Sequence, residues 1–296
     1  MKQDPNITWR RVDAASLDLK GWKIAVIGGT GGLGRAITGV LVSRGASVTV
    51  VGQTFRDKGV PGIEFVKADL SLLREAERVA KALPAEQLDL LVFTAGIFAA
   101  PKRQETAEGL ERDIAVSYLN RLVMLRELAP RLGKGRPAER AKLKPRVFVM
   151  GYPGTGQAGT LGDLNADRSY SAMTVHMNTV AGNEMLVLDA AKRYPHATFF
   201  GLNPGLIKTN IRDNFFGKDS FKSRFMETLI GFFTPSPETY AARITPLLVS
   251  PDLEGHSGAL FNQKGFAIMP SPTLADGAHV AKFLAESEAL VARATG

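Results

Sequence analysis

Apolar residues come in short runs separated by amphipathic stretches of helix length, and this rhythm alone predicts a fold class. Ile24–Ile27, Ser47–Val51, Ile63–Val66, Leu88–Thr94, Val147–Met150 and Ala197–Leu202 read as strands, with a last one near Ala259–Phe261. Helical periodicity covers 72–83, 107–132, 169–193 and 275–293. The stretch after Gly34 sets Ala36, Ile37, Val40 and Leu41 on one apolar face. Strands spaced by helices join through right-handed crossovers, which predicts an α/β protein: a Rossmann-like doubly wound parallel sheet of about seven strands with helices on both faces. Residues 21–296 read as a single domain, and 1–20 as an extension packed outside the sheet.

The turn after the first strand carries the strongest chemical signal. Gly28-Gly29-Thr30-Gly31-Gly32-Leu33-Gly34 follows a buried-strand pattern and opens an amphipathic helix. Glycines let the backbone bend sharply and approach a ligand, and free N–H groups at the helix start attract a diphosphate. In that context the turn reads as a dinucleotide site. Two registers fit. Gly29, Gly31 and Gly34 give G-x-G-x-x-G, and Lys23–Gly34 in this register resembles the start of deazaflavin-dependent NADP reductases. Gly28, Gly32 and Gly34 give G-x-x-x-G-x-G.

Composition narrows the alternatives. The 296 residues contain no cysteine, which excludes disulfides, thiolate nucleophiles and cysteine metal sites, and the four histidines are scattered, so no metal site is expected. The first eleven residues lack the apolar core of a secretory signal, and no apolar run approaches the roughly 18 residues of a membrane span. A cytoplasmic protein with no transmembrane segment is expected. The net charge of +8 is concentrated at 131–146, where seven basic groups face one acid. No aromatics are interleaved there to stack on bases, so this segment reads as a solvated loop and no nucleic-acid partner is expected.

In a doubly wound sheet, ligands bind beyond the carboxyl ends of the strands. The second strand is followed by Gln53, Thr54 and Arg56, which can donate to the 2′-phosphate of NADP, with Arg35 nearby; Asp57 keeps NAD as the alternative. The third is followed by Asp69-Leu70, where a carboxylate can accept from the adenine amino group or cap a helix. The fourth is followed by Thr94-Ala95-Gly96, small enough for backbone to approach the nucleotide, and the sixth by Pro204-Gly205 with Ile207 and Thr209 beyond.

Gly28/Gly32/Gly34, Asp69-Leu70, Thr94-Ala95-Gly96 and Pro204-Gly205-x-x-x-Thr209 follow one another as they do in the short-chain dehydrogenase/reductase family, which the chain resembles from about residue 20 to 265. The tail Val280–Glu288 looks like the last helix of its retinol-dehydrogenase-like members. The resemblance implies that Pro204, Gly205, Ile207 and Thr209 line the nicotinamide. It also implies a Tyr general acid/base, a Lys one helical turn later that lowers the phenol pKa, a Ser after the fifth strand, and an Asn on the fourth helix that holds a relay water.

The chain departs from that set. Tyr170 reads as the Tyr, opening a helix, but Thr174 replaces the Lys, Tyr152 replaces the Ser and Ser117 replaces the Asn. Without the cation, Tyr170 is expected to behave as an ordinary phenol, with a rate loss of about 10²–10⁴. Tyr152 and Tyr170 could act as paired donors. His176 could serve as a proton carrier, but it lies six residues past Tyr170 and reads as facing away from it, so a bland surface or core role is the other reading.

The family places a mobile lid at about 210–235. Six phenylalanines between 215 and 233 suggest a bulky hydrophobic substrate, while an interface or a membrane surface bound through Lys218, Lys222 and Arg224 are the other readings. Family members form homodimers or homotetramers through the helices at 107–132 and 169–193. The leading reading is an NADP(H)- or NAD(H)-dependent oxidoreductase acting on a hydrophobic carbonyl or alcohol. A catalytically degenerate nucleotide-binding regulator or a non-redox protein is the alternative.

Overall fold

The apolar runs become strands buried on both faces because helices cover each side. The structure is a computed structural model that describes residues 1–205 and 235–296. Its strands are β1 (Lys23–Ile27), β2 (Ser47–Gly52), β3 (Ile63–Lys67), β4 (Leu90–Phe93), β5 (Arg146–Met150), β6 (Thr198–Leu202), β7 (Leu260–Phe261) and β8 (Ala267–Ile268). Their spatial order is β3-β2-β1-β4-β5-β6-β7-β8, parallel throughout except for β8. The sheet thus holds one strand more than expected. β8 has two residues, too short to show a period, and returns antiparallel from β7.

The helices are α1 (Gly32–Ser43), α2 (Leu73–Ala82), α3 (Arg112–Ile114), α4 (Asn120–Leu128), α5 (Ala172–Arg193), α6 (Pro237–Val249) and α7 (Gly277–Thr295). α1 and α6 cover the face built from Ile24, Val26, Val48, Val50, Phe148 and Phe200. α2, α4, α5 and α7 cover the face built from Ala25, Ile27, Leu91, Phe93, Val147 and Phe199. Sequence periodicity did not signal α6, which Ser236 caps at its start.

The helix expected over 107–132 begins only at Arg112 and widens into a π turn over Ala115–Leu119 before continuing as α4. Packing against α5 accompanies the wider turn. Gly182 has no side chain, and a Cβ there would lie 2.7 Å from the Tyr118 ring. Asn183 Nδ2 donates to the Ser117 carbonyl at 2.8 Å. Such turns recur at functional sites.

The first residues of the 1–20 extension bind the sheet edge, while Ala15 and Leu19 bond to Arg44 after α1. Gln3 bridges to Ile268, Met269 N donates to Lys2 O at 2.9 Å, and the Trp9 indole donates to Gly265 O at 2.7 Å. This contact occupies backbone groups that an edge strand would otherwise expose. The basic stretch 131–146 is exposed at Lys134, Lys142 and Lys144, as a solvated loop would be, but its arginines are tied down. Arg131 pairs with Glu86 at 2.9 Å, Arg136 with Asp89 at 3.2 Å, and Arg146 is 1% exposed. Arginine stems cover apolar surface while their heads reach carboxylates near the amino ends of the strands.

α7 crosses the α4–α5 face. Phe283 packs on Tyr118 with ring centroids 5.9 Å apart, Ser287 receives the Tyr118 hydroxyl at 3.0 Å, and Glu288 pairs with Arg126 at 2.9 Å. A second copy approaching this face would meet α7.

Gly182→Ala should destabilise the protein by about 1–2 kcal/mol, because crowding Tyr118 costs about 1–3 kcal/mol and outweighs the roughly 1 kcal/mol gained by alanine in a helix. Urea unfolding of the two proteins measures the difference.

Candidate functional site

The cleft lies at the carboxyl ends of β1, β4 and β5, where the chain passes itself at backbone distance. Gly28 has φ +93°, and a Cβ there would sit 2.4 Å from Ala95 N. A Cβ on Gly34 would meet both Gly28 O and Thr94 Oγ1 at 2.4 Å. These contacts let β1 turn under the start of β4's outgoing loop, and Thr94 Oγ1 donates to Ile27 O at 3.0 Å to hold the crossing. Gly32 has φ +48° in the first turn of α1, and Gly31 caps the helix with extended backbone and no side-chain bond. Of the two glycine registers, close approach occurs at Gly28 and Gly34, and the positive φ values fall at Gly28 and Gly32. Thr30, Gly31, Gly32 and Leu33 bring their N–H groups to the helix mouth with no side-chain cap, which suits an anion.

Two arginines flank this mouth. Arg56 Nη1 donates to Thr30 O at 2.8 Å, and Arg35 makes a two-point pair with Asp57, the shorter contact being 2.7 Å. Asp57, the residue that favoured NAD, is therefore already engaged. Gln53 binds Asp69 instead of standing free, and Thr54 is exposed. Burial pushes the Asp69 carboxyl up, but Ser71 and Gln53 outweigh it and hold the group below its usual range. Leu70 turns its side chain into the core and its carbonyl accepts from Asn120 at 3.1 Å, so only backbone remains there for a ligand.

Beyond the cradle, side chains meet that the sequence reading treated separately or missed. Arg121, 3% exposed, donates to Ala95 O, Met150 O and Asn183 Oδ1, the last at 2.9 Å, and so ties the ends of β4 and β5 to α5. Burial lowers its pKa to about 9, with Asp113 opposing the shift. Ser117 donates to the fully buried Asp113 and accepts from Ile97 N at 3.0 Å. Asp113 Oδ2 lies 2.8 Å from His176 Nδ1, and the His176 ring stacks on Phe98 with centroids 3.9 Å apart. Asp113, Ser117 and Arg121 recur every four residues and His176 and Asn183 seven apart, a helical spacing that could have shown them sharing a face.

The catalytic positions named from the sequence do not all converge. Tyr170 precedes α5 instead of opening it, since Ser171 is the cap, and its hydroxyl donates to Ala100 O. Burial, then Glu111 and Asp113, push this phenol up to about 12, away from the ordinary value expected of it. Thr174 is exposed. Tyr152 is half-buried after β5, and its hydroxyl has no hydrogen-bond partner among the described residues. Asn203 positions the next loop, donating to Pro153 O at 3.0 Å and accepting from Gly205 N at 2.9 Å, which sets Pro204-Gly205. Ile207, Thr209, the phenylalanine-rich stretch and all but the last residue of the expected lid lie outside the described residues.

Glu184 fastens two further loops, accepting from Gly154 N at 2.9 Å and from Ser271 Oγ at 2.8 Å. No group of three or more metal-ligating side chains occurs among the described residues, and none of the described helices is long and apolar enough to cross a membrane.

No family model matches the chain. It is 51% identical over 297 residues to an uncharacterized oxidoreductase of Saccharomyces cerevisiae, an overlap that covers 99% of this chain and 95% of the yeast protein. Human retinol dehydrogenase 14 is 25% identical over 271 residues, 82% of this chain and 78% of that protein. A short chain dehydrogenase structure from Pseudomonas syringae superposes with a TM-score of 0.61 at 18% identity, covering 87% of this chain and 99% of the other.

One buried acid gives the site a pH signature. Glu111 is 1% exposed, caps α3 by accepting from Ile114 N at 2.8 Å, and is pushed up to about 7 by burial. Between its unfolded value of 4.5 and about 7, the folded protein holds a proton that the unfolded chain has released. Stability therefore falls as pH rises through this window. Glu111→Gln keeps the capping acceptor and removes the titration. Its advantage over the parent should grow from pH 5 to pH 8, reaching on the order of 1–3 kcal/mol, as read from urea midpoints at each pH.

Proposed function

The chain belongs to the short-chain dehydrogenase/reductase family, and from that membership we propose an NADP(H)-dependent oxidoreductase that interconverts a hydrophobic carbonyl compound and its alcohol. The observation that carries the reading is the cradle at Gly28 and Gly34. Its two crossings leave no room for a side chain, and the start of α1 stands open to a diphosphate. The residues there fit a dinucleotide. The N–H groups of Thr30 to Leu33 would hold the diphosphate, and Asp69 would accept from the adenine amino group. Thr94, Ala95 and Gly96 would border the ribose, with Pro204, Gly205, Ile207 and Thr209 beside the nicotinamide. When bound, the cofactor supplies or takes up a hydride at its nicotinamide ring.

Preference for the phosphorylated coenzyme rests on charge. NAD recognition uses a carboxylate free to bind two ribose hydroxyls. Here Asp57 is paired with Arg35, and Arg56, which pairs with no carboxylate among the described residues, stands over the helix mouth, so a 2′-phosphate would meet the Arg56 guanidinium and no free carboxylate. Arginine suits phosphate because its planar fork donates at two points. We extend the same reading to a bulky hydrophobic small molecule as substrate, a single domain over 21–296, a cytoplasmic location and assembly as a homodimer or homotetramer. α7 crosses the face expected to pair.

The second reading, a nucleotide-binding regulator, is favoured by the commitment of Tyr170 to Ala100 and the lack of a cation at Thr174. The two separate in a single-turnover experiment. The enzyme oxidises bound NADPH when offered an apolar diketone such as benzil, whereas the regulator binds NADPH and leaves its absorbance unchanged.

Fluorescence titration should show NADPH bound more tightly than NADH. Gly28→Val should abolish both. Arg56→Ala should weaken NADPH by about tenfold or more with little effect on NADH. Equal loss for both coenzymes would remove Arg56 from phosphate recognition.

A further inference from the structure

With Tyr170 bonded to a backbone carbonyl, the proton that accompanies hydride transfer needs another carrier. We propose that His176 is that carrier, the general acid in carbonyl reduction and the general base in alcohol oxidation, with Asp113 and Ser117 as its positioning residues. The assignment rests on reading the chain as a hydride-transferring protein.

The geometry supplies each part of the role. The loop that starts at Ala95, against the Gly28 cradle, reaches Phe98 three residues later, and Phe98 stacks on the imidazole. His176 thus meets the loop that leaves the cradle, on the turn of α5 two turns before Asn183, which is itself tied to Arg121 and the ends of β4 and β5. Asp113 is fully buried and acts as an acceptor at both oxygens, toward His176 Nδ1 and Ser117 Oγ. A carboxylate placed so fixes the tautomer: Nδ1 carries the hydrogen, and Nε2 keeps the lone pair or the exchangeable proton. Nε2 has no partner among the described residues, and the side chain is 17% exposed, enough to reach a ligand. Asp113 in turn feels Arg121 from α4, Glu111 from the start of α3 and Tyr170 from the turn before α5.

The step balances simply. In reduction the substrate carbon accepts the hydride and the carbonyl oxygen takes one proton from imidazolium Nε2; the neutral imidazole then regains a proton from solvent. In oxidation neutral Nε2 removes the hydroxyl proton as the hydride leaves carbon. The carboxylate of Asp113 offsets the imidazolium charge, a role that a lysine beside a phenol fills by the opposite arrangement of signs.

Two measurements test the assignment. In long-range ¹H–¹⁵N spectra of the cofactor-free protein, neutral His176 should carry its hydrogen on Nδ1, and Asp113→Ala should shift it toward Nε2. A parent spectrum with the hydrogen on Nε2 would overturn the proposal without any activity measurement. In the second, His176→Ala should lower benzil reduction about 10²–10⁴-fold while NADPH binding stays within twofold, and added imidazole should recover at least tenfold. Full activity in His176→Asn together with its loss in Tyr170→Phe would also sink the assignment. Absence of NADPH binding by the parent protein counts against the dinucleotide reading alone, because the tautomer is read without cofactor.

Discussion

The close passage of β1's outgoing turn beneath β4's is the constraint on which the site depends. Two backbones approach within the space of one methyl group, at Gly28 against Ala95 and at Gly34 against Gly28 and Thr94. Any side chain would push the turn away and swing the start of α1 off the cleft. Because the strands on either side are locked by a parallel register, Ile27 beside both Val51 and Phe93, the turn cannot relax by slipping. The glycines thus convert a sheet geometry into an exposed row of N–H donors.

A second constraint lies deeper and is electrostatic. Arg121 is buried with its donors on the carbonyls of Ala95 and Met150 and on Asn183. A buried guanidinium requires such partners, since an unpaired charge in the interior is strongly unfavourable. The π turn accommodates this network. It brings Ser117 and Tyr118 against Gly182 and Asn183, and leaves the Ser117 carbonyl for Asn183 to cap. The same region holds Asp113 and His176, so the residues that position the ends of β4 and β5 also fix the acid–imidazole pair.

The outer elements show how this chain protects its edges. Residues 1–11 bind β8 and the turn before it, with the Arg11 guanidinium 4.2 Å from the Phe266 ring. α7 presses Phe283 against Tyr118 and thereby buries the far side of the π turn. The site is consequently held from behind by the last helix, although that helix is distant in sequence from every residue in the cleft.

The local pattern alone determined the strand–helix alternation, the parallel sheet and the glycine turn. These depend on residues within about ten positions of one another, where periodicity and backbone freedom act directly. It also singled out Ser117, which the fold brings against Asp113. The choice of partners for Tyr170 and His176 was not legible. Tyr170 looked like the catalytic phenol by its place before a helix, yet Ala100, seventy residues earlier, takes its hydroxyl. His176 read as facing away from Tyr170, and nothing in the local pattern showed that Asp113 and Phe98 reach it from two other segments. α6 and β8 escaped for the same reason, being set by packing and edge pairing more than by period. Sequence fixes conformations that neighbours along the chain decide; which charge faces which proton was decided by contacts between segments that only the folded sheet brings together.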